Sequence, residues 1–114
     1  MESRLPAHLE VAAMIRQVQG LGGFAMVLHK GETDGGTILA VLLENHGFGQ
    51  ELGHLYERLP QLDGTRKWTL TRSQDPDNKP DFNDYLDRRV RQDPDLWILE
   101  LTVADAERLV LNGG

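Results

Sequence analysis

The stretch Asp93-Pro94-Asp95-Leu96-Trp97-Ile98-Leu99-Glu100-Leu101 decides how this chain is read. It joins a helix stop to the most hydrophobic strand candidate in the sequence. Pro94 pushes the preceding residue out of helical geometry, so a helix arriving from upstream must end here. From Leu96 onward both alternations are apolar, with Leu96 and Ile98 on one side and Trp97, Leu99 and Leu101 on the other. A strand of that kind belongs inside a sheet, buried on both faces. Glu100 is the one polar intruder, and it predicts an arginine or lysine partner or a position at the sheet's edge.

Working back from Pro94, Phe82, Tyr85, Leu86 and Val90 recur at helical spacing. Asn78 stands where an N-cap is wanted, with Pro80 in the first turn. Thr65 to Arg72 alternates as a strand with Trp68 and Leu70 inward. Leu52 to Leu59 alternates too, but Glu51, Leu52, Leu55 and Leu59 also fit a short helix, and the periodicity leaves both open. Thr37 to Leu43 is apolar throughout and predicts a central strand. Lys30 to Gly36 is a polar, glycine-rich hairpin loop, and Phe24 to His29 is the strand before it. At the start, Leu5, Leu9, Ala12, Ile15 and Val18 form one face of a helix stopped by Gly20, Gly22 and Gly23.

Downstream of the opening stretch, Thr102 to Leu111 is either a short capped helix or a turn at Asp105-Ala106-Glu107 followed by an edge strand, the second being favoured. Residues 112–114 form a frayed tail. The order α-β-β-β-β-α-β, with short connections, predicts one α+β domain over residues 1–114. Its expected form is a two-layer sandwich, an antiparallel sheet of about five strands with both helices on one face.

The segment Arg88-Arg89-Val90-Arg91-Gln92-Asp93-Pro94-Asp95-Leu96-Trp97-Ile98-Leu99-Glu100 resembles that of an uncharacterised bacterial family. The family is catalogued as domain of unknown function 1491 and found mostly in alphaproteobacteria. Length, the leading amphipathic helix, the glycine-rich stretch at Gly35-Gly36 and the strand containing Trp68 are similar as well. The resemblance implies a single domain and carries no activity, cofactor or catalytic residue.

Composition narrows the classes. The chain has 114 residues and no cysteine, which removes disulfides, thiolate catalysis and cysteine zinc sites and fits a reducing compartment. The N-terminus lacks the basic start and apolar run of a signal peptide, and no apolar stretch approaches the roughly 18 residues of a membrane span. A cytoplasmic location without membrane contact is the expectation. A net charge of −6 disfavours a general nucleic-acid binder, because phosphate affinity rests on cationic excess.

Two basic groups nonetheless stand out: Arg66, Lys67 and Arg72 around Trp68, and Arg88, Arg89 and Arg91 on the second helix. Arginine meets phosphates and carboxylates bidentately, and aromatics among cations stack bases. On the helix, Asp84 and Asp87 lie one turn before Arg88 and Arg91, which predicts a solvated, self-paired face. Asp93 and Asp95 have the spacing of a metal or acid–base pair, yet aspartates beside a proline are ordinary turn chemistry. Asp93, Pro94, Asp95, Leu96 and Trp97 are therefore expected to be the structural hub of the fold, not a catalytic centre.

His8, His29, His46 and His54 fall on separate elements, although Glu51 and His54, and Glu44 and His46, have short spacings. A metal site needs three or four convergent ligands, and none is predicted. Ser3 and Ser73 lack the strand-turn-helix elbow of a serine hydrolase. The acidic-x-Lys triplet Asp77-Asn78-Lys79 falls in a loop, away from a nuclease metal position. No cofactor is expected. The favoured expectation is a small non-enzymatic domain that acts through protein contact, with an unknown partner or with itself as a homodimer. Tyr56, Phe48 and Trp97 are its candidate anchors. Nucleic-acid or phosphate binding through the arginine groups is the alternative, and a hydrolase the residual one.

Overall fold

The computed structural model describes residues 5–45 and 50–104. Seven elements follow in the order α1 (Ala7–Gly20), β1 (Phe24–His29), β2 (Ile38–Asn45), β3 (Glu51–Pro60), β4 (Arg66–Ser73), α2 (Lys79–Gln92) and β5 (Trp97–Thr102). The expected α+β class and element order stand, and the ambiguous third segment is a strand. The turn around His46 and Phe48, the helix-or-strand choice beyond Ala104, Ser3 and the tail lie outside the described residues.

Helix α1 begins directly after Pro6, and its first two free amides find partners in the loop before β2. Ala7 N donates to Asp34 O and His8 N to Thr33 O, both at 2.9 Å. The helix closes where Gly22 N and Gly23 N donate to Gln19 O and Val18 O, with Gly22 at φ +81°, a conformation that favours glycine. Its buried face is Ala7, Val11 and Val18, with Met14 and Ile15 packed alongside. The stripe expected from sequence is thus rotated: Leu5 and Leu9 are exposed. For α2 the expected stripe holds, with Phe82 and Leu86 buried and Tyr85 and Val90 packed against the core. Asn78 occupies the N-cap position but its side chain makes no capping bond.

The strands form one sheet in the order β1-β5-β2-β3-β4. β5 pairs antiparallel with β1 and parallel with β2, while β2, β3 and β4 form an antiparallel meander. Three expectations need correction here. The sheet is mostly and not wholly antiparallel, because β5 runs parallel to β2. Lys30–Gly36 is not a hairpin loop, because β5 enters between β1 and β2 and the loop must cross it. The helices do not share a face either. Ile38, Ala40, Leu42, Trp97, Leu99 and Leu101 pack with α1, whereas Leu39, Val41, Leu55, Leu96 and Ile98 pack with α2. Strand alternation sends those two sets to opposite sides, so the sheet lies between the helices in three layers. The physical reason was present in β2 and β5: strands apolar on both sides need cover on both sides.

The crossing loop binds the turn before β5. Glu32 N donates to Asp95 O at 2.8 Å, Trp97 N to Thr37 O at 2.7 Å and Trp97 Nε1 to Glu32 O at 2.8 Å. Backbone approaches so closely that a Cβ at Gly31 or Gly36 would collide with the Asp95 carbonyl oxygen. Glu32 organises the loop from within, its Oε2 accepting from Asp34 N and Gly35 N at 2.8 and 2.6 Å. The Gly35 and Asp34 amides hold that carboxyl below its ordinary pKa.

Candidate functional site

The residues singled out by charge are distributed by a bulge. The register of β4 against β3 shifts between Leu55 and Tyr56, which sets Arg72 opposite Leu55, on the α2 side of the sheet. Strict alternation places Arg72 with Trp68 and Arg66 instead, so the expected Arg66–Lys67–Arg72 group is split. Arg66 stays on the side of Trp68, at the exposed end of β4, and the exposed Lys67 points to the other side. Trp68 is core, stacked under Arg58, which itself pairs with Glu10 of α1. Leu70, expected inward, is half exposed.

Arg72 joins the helix group. Its guanidinium lies 3.9 Å from the centroid of the Tyr85 ring, with Arg89 and Arg88 at 5.8 and 5.9 Å. Arg89 Nη1 donates to Tyr85 Oη and meets Glu57 Oε1, both at 3.0 Å. Burial works to lower the Arg89 pKa, but the Tyr85 hydrogen bond and the Glu57 carboxylate outweigh it and hold the charge in place. Arg72 faces Asp81 at 3.4 Å. The expected pairing of Asp84 and Asp87 with Arg88 and Arg91 is not found among the described residues. Of the helix cations Arg89 is turned across to Glu57 of the sheet, and the two best placed to grip an anion, Arg72 and Arg89, already hold carboxylates.

Asp93 and Asp95 behave as turn residues. Asp93 Oδ1 accepts from Asp95 N at 3.2 Å, Asp93 O accepts from Leu96 N at 3.2 Å, and Asp93 N donates to Arg89 O at 2.9 Å. Leu96 and Trp97 are buried. Of the expected aromatic anchors, Tyr56 and Trp97 are buried in the core, and Phe48 lies outside the described residues.

One line of polar groups has the order used by serine hydrolases. Glu44 Oε2 lies 3.2 Å from His54 Nε2, and Ser73 Oγ lies 2.8 Å from His54 Nδ1. Glu44 is 60% exposed, so water screens its hold on the imidazole, and Ser73 is an exposed strand-end residue without an elbow. Among the described residues no group of three acidic, histidine or cysteine side chains is placed to hold a metal ion. No helix there is long and apolar enough to cross a membrane.

What sequence reasoning missed is the side of the molecule at β1. Phe24 is 77% exposed, Met26 58% and Leu28 43%, and Val27 is also open. Phe24 and Met26 stand opposite Thr102 and Glu100 of β5, on the face that carries α2. A second register shift, between Val27 and His29, brings His29 opposite Ile98 on that face as well. His29 Nδ1 donates to Leu96 O at 2.8 Å, which leaves Nε2 as its acceptor when neutral. A groove of about 470 Å³ continues the surface toward α2, floored by Leu28, Leu86, Val90 and Ile98 and rimmed by His29, Asn83, Asp87 and Arg91. Glu100 sits half-buried in this apolar setting, its pKa raised by desolvation and secondarily by Glu51. No ion pair to it is found among the described residues. The run Phe24-Ala25-Met26-Val27-Leu28 announces a strand, but nothing in it signals that the strand lies at an edge.

The fold and this surface define a small three-layer α+β domain with an open apolar edge. The chain belongs to the family described as protein of unknown function DUF1491, which it matches over residues 5–111. It is similar to a DUF1491 family protein from Caulobacter crescentus in two solved structures. The crystal structure has 31% identity over 87% of this chain and 88% of the other, with a TM-score of 0.73. The NMR structure has 31% identity over 91% and 90%, with a TM-score of 0.71. It is also similar to protein Atu0922 from A. tumefaciens, at 29% identity over 89% and 87%, with a TM-score of 0.64. No curated protein matches the sequence.

Proposed function

We propose that the chain is a small, non-enzymatic cytoplasmic domain that acts through protein contact at β1 and the adjoining open face of β5. The observation that carries the reading is the row Phe24, Met26 and Leu28, exposed together on an edge strand without a charge among them. Sheet edges are ordinarily protected by charged residues, as β4 is by Arg66, Lys67 and Arg72. Contiguous apolar surface left uncovered marks an interaction site. A partner protein or a second copy of the chain serves equally at this level. The cysteine-free sequence supports the reducing compartment.

A photo-crosslinking residue placed at Met26 in living bacteria tests this, with the same residue at the exposed Leu62 as control. The expected outcome is a polypeptide adduct at 26, absent at 62 and lost when Leu28→Asp is added. Equal yields at the two positions overturn the proposal. The arginines around Tyr85 support phosphate or nucleic-acid binding less well, since Arg72 and Arg89 are already paired with Asp81 and Glu57.

A further inference from the structure

Resting on that reading, we propose that the open face of β1 and β5 receives a basic amphipathic helix of another polypeptide. Its apolar stripe covers Phe24, Met26 and Leu28, and a lysine or arginine within it pairs with Glu100.

Geometry supplies the first argument. The outer strands of a five-stranded sheet lie about 19 Å apart, and a helix with its side chains is about 10–12 Å wide. Helix α2, through Phe82 and Leu86, packs over β2, β3 and the inner side of β5. That leaves roughly one helix width uncovered on the same face, above Phe24, Met26 and Glu100. The groove between Leu28 and the Asn83–Asp87–Val90 flank of α2 is where a second helix would lie alongside the first. An extended strand added to the edge is a poorer occupant, because the irregularity at Leu28 interrupts the ladder it would need.

Charge supplies the second argument. A carboxylate held among apolar side chains without a cation is an unsatisfied half of a pair. Glu100 has Glu51 as its electrostatic neighbour, Met26 and Val41 beside it on the flanking strands, and no cation partner among the described residues. Asp87 adds a second acidic group on the groove rim, against Arg91 and His29. The occupant is therefore cationic where it crosses β5. A second copy fits badly. The chain carries a net charge of −6, and the outer face of α2 alternates Asp84, Asp87, Arg88 and Arg91 without an apolar stripe.

The test uses a fluorescent model helix of leucine and lysine, about 18 residues or five turns long, and its leucine–glutamate counterpart. Anisotropy is measured against the full chain and its variants Glu100→Gln, Met26→Asp and Leu62→Ser, each checked for folding by circular dichroism. The lysine peptide is expected to bind about tenfold tighter than the glutamate peptide, a difference of about 1.4 kcal/mol. Glu100→Gln is expected to lose most of that difference, Met26→Asp to abolish binding and Leu62→Ser to change nothing. Amide shifts should map to β1, β5 and the flank of α2. Equal affinity for both peptides, an indifferent Glu100→Gln, shifts elsewhere or no binding overturns the proposal. So does preferential capture of the same face by anionic lipid vesicles. If the lysine peptide fails while the adduct at position 26 persists, or that adduct is a second copy of the chain, protein contact at β1 stands and the basic helix falls.

Discussion

Glu100 shows how one residue's place in a sheet sets its chemistry. Its carboxyl is pushed above the ordinary value, first by desolvation and then by Glu51. A raised carboxyl pKa means that the folded state binds the proton more tightly than the unfolded chain. Stability therefore falls as pH rises from the ordinary carboxylate range through the raised value, and the loss is complete above it. Glu100→Gln should leave stability nearly unchanged at pH 4 and raise it at pH 7. The gain is about 0.5 kcal/mol, allowing for screening at a partly exposed site. Urea midpoints at the two pH values check this, and a variant less stable at pH 7 would mean that a cation already holds Glu100. The polarity of this position was legible in the run Leu96–Leu101. Its unpaired state was not, because that depends on which strand lies beside β5.

At the scale of elements, every described helix and strand except β3 was legible to within two or three residues, since alternation and turn chemistry are local. Strand β3 fits both periods, and its pairing with β2 and β4 decides for a strand. Two features escaped that local reading, the first a single-residue insertion in a ladder. The irregularity between Leu55 and Tyr56 re-aims Arg72 from the side of Trp68 to that of Tyr85, and no residue type announces it. The loop between β1 and β2 is the second case. Its glycines suggested a tight reversal, whereas Gly31 and Gly36 are needed because the Asp95 carbonyl presses against them. Gly36→Ala should therefore cost about 2 kcal/mol, as an overpacked buried contact does. Gly35→Ala, whose nearest neighbour is the movable Glu32 Oε2 at 3.8 Å, should stay within about 0.5 kcal/mol of the parent. Thermal unfolding of the two variants side by side decides it; equal losses would mean that the loop yields instead of clamping.

For the whole molecule, the sheet order governs which surfaces are covered. With α1 and α2 on opposite faces, β2 and the start of β5 are buried on both sides, while β1 and the end of β5 from Glu100 onward are left with one open face. Ile98→Asp places a charge against Leu86 and Leu39 in the core, and is expected to cost about 4 kcal/mol or more, a large share of an ordinary domain's stability. Loss of the cooperative urea transition checks it, and a fully folded variant would show that β5 is not central. The family and the element order were readable from Asp93–Leu101 and its flanks. The need for cover on both sides of β2 and β5 was readable too, but the sheet order was not, since it rests on the non-local pairing of β5 with both β1 and β2. That insertion also has a consequence during synthesis. His29 meets Leu96 across 67 positions, so at about 5–20 residues per second the ribosome takes several seconds between making β1 and making the strand that shelters its inner edge. Through that interval the nascent chain displays Phe24, Met26 and Leu28 beside unpaired backbone, and whatever first meets the emerging polypeptide finds this segment already on offer.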